Sequence, residues 1–334
     1  SRYKDHIVVQ KGLRFLLASQ REDGSWPIDT DLALWLTTSS VNALSTAGKY
    51  QGPKKELLLE AIYKNQQKKV HPFTGAEPGG FAWTDLPGGV PDCDDTAGAL
   101  LALAHLDEER NLDTVKTASQ AVHWLLSLQN SDGGWPTFCR GWGHLPFDKS
   151  SADITAHVIR ALSKWKEISA QIPAAIDCGF NFLTDTQGEN GQWVPLWFGN
   201  QHTENMDNPV FGTSRVLSAF GALGRQEEAA AQRGLRFLLN EQKEDGSWGG
   251  NHSTPSSIEE TAVALEALSY FTEEEARSGC HLASRYLCQK IDSGEICNRA
   301  PIGLYFAKLW YSEKLYPIIW SASALNKLAS QVSK

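Results

Sequence analysis

KGLRFLLASQREDGSW, residues 11–26, recurs as QAVHWLLSLQNSDGGW (120–135), CGFNFLTDTQGENGQW (178–193) and RGLRFLLNEQKEDGSW (233–248). Every copy carries an aromatic residue at its fifth position, Gln at its tenth, Gly at its fourteenth and Trp at its end. A weaker copy, LLLEAIYKNQQKK followed by GGFAW, has Trp83 as its landmark, and a last one, HLASRYLCQKIDSGE, has lost the Trp. Six landmarks therefore recur about every 55 residues, the mark of a repeat architecture.

Within a unit, Leu13, Phe15, Leu16 and Leu17 suit a helix whose apolar face ends at Gln20, and the E-D-G-S that follows is a turn that needs its Gly. After the Trp comes a second helical segment, as in LALWLTTSSVNALSTAG (32–48) or TAVALEALSY (261–270). No period-2 alternation runs long enough for a sheet. The expected fold is all-α, six helix pairs that either stack as a solenoid or close as a ring, and periodicity does not choose between them. Gln20 with Trp26, Gln129 with Trp135, Gln187 with Trp193 and Gln242 with Trp248 are expected to pair amide against indole as staples at the unit junctions.

The bulk composition narrows the partners. A net charge of -8, from 31 basic and 39 acidic side chains, argues against a hold on phosphate backbones, so nucleic acid is not an expected partner. The 6 cysteines show no CxxC pair and no repeated spacing, which fits reduced thiols in a cytoplasm better than a disulfide frame or a zinc knuckle. SRYKDHIVVQ lacks the pattern of a signal peptide, and no apolar run approaches the roughly 20 residues of a membrane span. A soluble protein is expected, with peripheral membrane contact left open. Twelve tryptophans against 1 methionine supply rigid packing and electron-rich faces for cations.

The chemistry-bearing stretch is VPDCDDTAGAL (90–100), where Asp92, Asp94 and Asp95 crowd together ahead of an apolar helix. Three readings compete. The aspartates could cap the helix, which accounts for one or two of them. They could hold a divalent cation, although neither the EF-hand spacing nor a DDxxD motif is present. Or they could perform acid catalysis, since like charges this close do not all ionise and one carboxyl keeps its proton near neutral pH. SADITAHVIRALSKW (151–165) adds Asp153 and His157 four residues apart on one helix face, although a lone His there is commonly a satisfied core residue.

PDCDDTAGALLAL and SADITAHVIRAL, set among Gln-to-Trp repeats that reach LYPIIWSASAL (315–325), closely resemble the class II terpene cyclases, squalene-hopene cyclase in particular. The resemblance implies an (α/α)6 barrel with the DxDD motif at the end of a deep apolar cavity. It implies that Asp94 donates a proton to a terminal alkene or epoxide, that Asp92 and Asp95 hold and orient that proton, and that His157 is the acid's partner. Trp83, Trp197 and Tyr305 match cavity aromatics that would steady carbocations, and Phe81, Trp142 and Phe211 are further lining candidates.

The chain also departs from that pattern. It has no room for the family's second helical domain, so it resembles a monodomain cyclase spanning 1–334, like small enzymes that cyclise prenylated aromatic acids. Phe211 stands where squalene-hopene cyclase has Tyr, FGNQHTENMDNP is a longer polar loop, and Leu309 and Ser312 replace aromatics, which makes room in the cavity. The expected substrate is a linear, lipophilic polyprenyl chain bearing a polar head, with the mouth at 136–151 and 199–209; a free polyprenyl diphosphate or a triterpene is the alternative. No cofactor and no Mg²⁺ requirement are expected, and Glu204, Asp207, Glu259 and His202 are nearby candidates for a final base. Prenyltransferase β subunits share the ring but bind zinc through Asp, Cys and His, for which Cys280, Cys288 and Cys297 offer no equivalent. A two-carboxylate glycosidase and a helical-ring binding module complete the alternatives.

Overall fold

The computed structural model describes residues 5–332 except 21, 23, 25, 27–30, 47, 49, 51, 73, 87, 140–144, 306 and 307. The described helices are α1 (Ile7–Ser19), α2 (Ala33–Leu44), α3 (Lys55–Asn65), α4 (Cys93–Leu106), α5 (Leu112–Leu128), α6 (Ala152–Ser163), α7 (Ile172–Asp185), α8 (Pro209–Ala222), α9 (Ala229–Glu241), α10 (Ile258–Leu268), α11 (Glu274–Asp292) and α12 (Tyr316–Val332). Every second helix belongs to an inner ring: α2 packs on α4, α4 on α6, α6 on α8, α8 on α10, α10 on α12, and α12 returns to α2. That last contact decides between solenoid and ring. The outer helices α3, α5, α7, α9 and α11 pack against this inner layer, which is close to fully buried along α4, α8 and α10.

The repeat residues hold the layers together through backbone carbonyls, and among the described residues no hydrogen bond joins a repeat Gln to its Trp. Trp135, Trp193 and Trp248 are buried and donate their indole N–H to the carbonyls of Leu125, Leu183 and Leu238 at 2.7–2.8 Å. The Gln side chains bond elsewhere: Gln129 Nε2 donates to Gly133 O at 2.7 Å and to Ala175 O, in the next outer helix, at 2.9 Å. Gln187 and Gln242 repeat this with Gly191 and Ala230, and with Gly246 and Gly279. The indoles and the first amide bond satisfy carbonyls of a helix's last turn and of the repeat turn, which lack intrahelical partners, while the second amide bond ties each unit to the next outer helix. The turn glycine is obligatory because Gly133 has φ +89° and a Cβ there would lie 2.4 Å from the carbonyl oxygen of Cys178.

Two landmarks differ from the sequence expectation. In the second unit Gln66 makes the same bonds, to Gly79 O and Thr117 O, and the residue at the Trp position is Phe81, not Trp83. Phe81 N donates to Thr96 Oγ1 at 2.9 Å, as Trp135 N does to Thr155 and Trp193 N to Thr213. In the first unit Trp26 and Gln20 form their local bonds, but no residue of α1 is buried. Leu13, Phe15 and Leu16 are half exposed, whereas Leu235, Phe237 and Leu238 of the near-identical α9 are covered. The inner ring closes without α1, so the described structure has six inner and five packed outer helices instead of six complete pairs.

A short hairpin, β1 (Gly303–Tyr305) against β2 (Leu309–Tyr311), joins the segment at 197–199 through a bridge between Phe198 and Gly303. Strands of three residues are too short to show alternation, which is why none was legible in the sequence.

Candidate active site

The bridges Phe81 to Asp92, Trp135 to Ser151 and Trp248 to Ser257 each bring a repeat turn against the start of an inner helix. They hold the N-termini of α4, α6 and α10 at the same end of the ring. Asp92 is the N-cap of α4, its Oδ1 accepting from Asp95 N at 2.7 Å, just as Asn208 caps α8 and Ser257 caps α10. One aspartate of the three is thus a cap.

The other two diverge. Asp95 points into the core with 5% exposure, and its Oδ1 has no hydrogen-bond partner. Asp94 faces the ring interior, and its Oδ1 lies 2.6 Å from His157 Nδ1 on α6. Burial pushes the Asp92 carboxyl up to about 7 against the pull of its bonds to Asp95, and burial with the Asp92 charge holds Asp95 well above the carboxylate range. Asp153, at the matching position on α6, accepts from Ser151 Oγ and is raised by burial to about 6. Carboxyls that favour protonation therefore surround Asp94, which opens onto the interior beside Asp153.

That interior is a cavity of about 380 Å³ bordered by Asp94, His157, Trp35, Phe198, Phe211 and Trp320, among others. Phe198 stacks on Phe211 at 4.1 Å, and Trp320 stacks on Tyr316 at 4.6 Å. Trp35 donates its indole N–H to Tyr316 Oη at 3.0 Å and turns an edge to His157. Such rings offer faces to a cation without a nucleophilic lone pair poised to trap it.

The expected residues distribute unevenly. Asp94, His157 and Phe211 border the cavity together. Trp197 and Tyr305 are half-buried, edge to face at 5.6 Å, with Trp197 Nε1 donating to Thr137 Oγ1; neither borders that cavity, and neither does the half-buried Trp83. Phe81 is spent on the repeat junction. Leu309 is 52% exposed on β2 and lines nothing: strand alternation sends it outward while its neighbour Trp310 packs over Gly199. Trp142 lies outside the described residues. Sequence reasoning missed Trp35, Phe198 and Trp320; the last sits inside LYPIIWSASAL, where aromatic density was the available signal.

The raised carboxyls set a pH dependence of stability. A carboxyl with a folded pKa above its unfolded value stabilises the fold fully below the unfolded pKa, and loses this as pH rises through the folded one. Asp92, Glu259 and Glu260 at about 7 and Asp153 at about 6 place the loss between about pH 4 and 7. His105, lowered by burial to about 4, opposes it within this window. The thermal midpoint in scanning calorimetry is expected to rise as pH falls from 8 to 5.5; a steady decline would contradict the assignment.

A closed α/α ring carrying an acid-histidine pair at the inner-helix N-termini, with aromatics beneath it, defines the class. Residues 29–264 match the model of the squalene-hopene cyclase C-terminal domain, and the chain belongs to that family. It is 25% identical over 303 residues to squalene-hopene cyclase of Bradyrhizobium diazoefficiens (80% of this chain, 44% of that one). It is 28% identical over 281 residues to drimenyl diphosphate synthase of Streptantibioticus cattleyicolor (78% and 47%). The chain thus spans less than half the length of these curated relatives. Among solved structures, ent-copalyl diphosphate synthase from Streptomyces platensis superposes with TM-score 0.70 at 21% identity, covering 96% of this chain and 54% of that one. A variant of the type II terpene cyclase MstE from Scytonema, in complex with geranylgeranyl dihydroxybenzoate, superposes with TM-score 0.64 at 16% identity, covering 97% and 96%.

Proposed function

We propose that this barrel is the catalytic unit of a class II terpene cyclase that converts a linear polyprenyl chain, carried by an aromatic acid, into a polycyclic product. The observation that carries the reading is the Asp94 carboxyl, open to an aromatic cavity and paired with His157 at 2.6 Å beside two buried carboxyls that favour protonation. An alkene is a very weak base, so the acid must hold its proton at rest and yet release it. The neighbouring carboxyls oppose a second charge in the ground state. His157 and the N-terminus of α4 stabilise the carboxylate that forms. The proton passes from Asp94 to the terminal alkene carbon, the new cation is taken up by successive double bonds, and loss of a proton ends the sequence with no change in composition.

The choice of an aromatic-acid conjugate draws support from the near-complete mutual coverage with MstE, which holds such a molecule. A second reading, a free polyprenyl diphosphate, draws on the drimenyl diphosphate synthase relative. Asp94, His157 and the cavity aromatics serve either substrate; the head group distinguishes them. Among the described residues no group of three His, Cys, Asp or Glu side chains could hold a metal ion, and no helix is long and apolar enough to cross a membrane.

The test is incubation with geranylgeranyl dihydroxybenzoate, polyprenols, polyprenyl diphosphates and squalene in deuterium oxide with excess EDTA. A cyclised isomer carrying one deuterium at the initiating end is expected, at a rate unaffected by chelator. No cyclised product from any of them, or product without that deuterium, would sink the cyclase reading; strict loss in EDTA would sink its metal independence.

A further inference from the structure

The cavity continues well past the acid. Asp94 is the second residue of α4, whereas His105, also on its wall, is near the end of the same helix, 11 residues and about 16 Å further in. Along this deeper part the lining changes from aromatic to charged. Arg160 on α6 lies 3.6 Å from Glu266 on α10, and Ser323 Oγ donates to Glu266 Oε2 at 2.9 Å. Those charges answer one another. Arg215 on α8 is different: among the described residues it forms no ion pair or hydrogen bond, and its guanidinium carbon stands 4.9 Å from the Phe211 ring and 5.2 Å from the Trp320 ring.

A guanidinium stays charged at any working pH, and a charge set among buried side chains acts over a longer range than one in bulk water. The groups that face this part of the cavity are few. They are Asp94 on α4 with Asp92 and Asp95 behind it and His105 below, Asp153, His157 and Arg160 on α6 with Lys164 at its C-terminal end, Glu266 and Tyr270 on α10, Lys327 on α12, and Tyr311 and Tyr316 above; α2 contributes no charge. Arg215 shares the wall of one cavity with Glu266, Asp94 and Asp153; burial draws its guanidinium below the usual range, Glu266, Asp94 and Asp153 oppose this, and Arg160 adds to it.

We propose that Arg215 is a positioning residue for the acid, its fixed charge stabilising the carboxylate that Asp94 becomes when the proton leaves. This rests on the cyclase reading above and deepens it. Arg215 is five residues further along its helix than Asp94 is along α4, hence about a turn and a half deeper in the ring. A cation placed behind the acid favours the charge separation of proton transfer, negative on Asp94 and positive on the substrate in front. It also biases the new carbocation away from itself. The Phe211 and Trp320 rings, 4.9 Å and 5.2 Å from the guanidinium carbon, hold it in place on the cavity wall.

The test compares Arg215→Met, Arg215→Gln and Arg215→Lys by ¹³C titration of aspartate carboxyls, with Asp94→Asn and Asp153→Asn marking the relevant signals. In the two neutral variants the macroscopic titration of the cavity carboxyls is expected to move up by about one pH unit, and in the lysine variant to stay near the wild type. The basic limb of the pH-rate profile should move the same way while the plateau falls about tenfold. A merely structural arginine would move neither midpoint nor limb, and unmoved midpoints in the folded neutral variants would overturn the role. A moved midpoint in a protein that cyclises no polyprenyl substrate would uphold the electrostatics and remove the cyclase reading. An unmoved one in an active cyclase would remove only Arg215.

Discussion

Replacing Asp94 with Asn is expected to lower the rate of cyclised product at least about a thousandfold while leaving the thermal midpoint close to the wild type. The carboxamide keeps the shape of the side chain and can still accept from His157, but it has no acidic proton to give. A thousandfold loss is about 4 kcal/mol of transition-state stabilisation, within the range that general acids supply. Because Asp94 is a quarter exposed into the cavity and is not the cap of α4, the helix start loses nothing. Asp92 is the residue whose replacement should cost stability, since its Oδ1 holds Asp95 N. Single-turnover product formation measures the effect, and product from Asp94→Asn at the wild-type rate would remove Asp94 from the chemistry.

The second large effect is on folding. Trp135→Ala should destabilise the barrel by about 3–5 kcal/mol, lowering the thermal midpoint by roughly 5–10 °C. Trp135 is fully buried, and its ring packs so closely on Gly179 of α7 that a Cβ there would lie 3.0 Å from it. Trp26→Ala provides the contrast. Trp26 makes the same indole bond, to Leu16 O at 2.7 Å, yet is half exposed, so its loss should cost about 1 kcal/mol or less. Calorimetry on the pair separates burial from hydrogen bonding. Equal effects would mean that the indole bond, not the cover, stabilises each unit.

The proposed Arg215 role and the Asp94 prediction converge on one physical point. A catalytic acid for an alkene must be weak enough to stay loaded and strong enough to discharge, and burial alone satisfies only the first requirement. On the proposed reading, the ring divides these two requirements between residues. Asp92 and Asp95 are buried behind the cavity wall, where burial raises both carboxyls. Asp94 keeps contact with His157 and the cavity.

The repeat was legible because it is local: Gln, Gly and Trp at fixed spacing serve a turn whose backbone bonds lie within ten residues of one another. The same locality made Asp92, Asp94, Asp95 and His157 readable as a group, two motifs on helices that the period places in adjacent units. Locality also misled. Trp83 took the landmark that belongs to Phe81, because sequence shows an indole and not which residue receives the Thr96 hydroxyl. Leu309 was placed in the cavity because a two-strand hairpin, with its alternating faces, was not visible in so few residues.

The amino-acid sequence by itself determined the all-α repeat, the family and the acid-bearing helix start, because each depends on spacing along the chain. Only the tertiary structure decided the rest. It closed α12 onto α2, left α1 uncovered, separated Asp94 from its neighbours, and gathered Trp35, Phe198, Trp320 and Arg215 from distant segments around one void. Those outcomes depend on which side chains a closed ring turns inward, and curvature summed over six inner helices is not written in any one repeat.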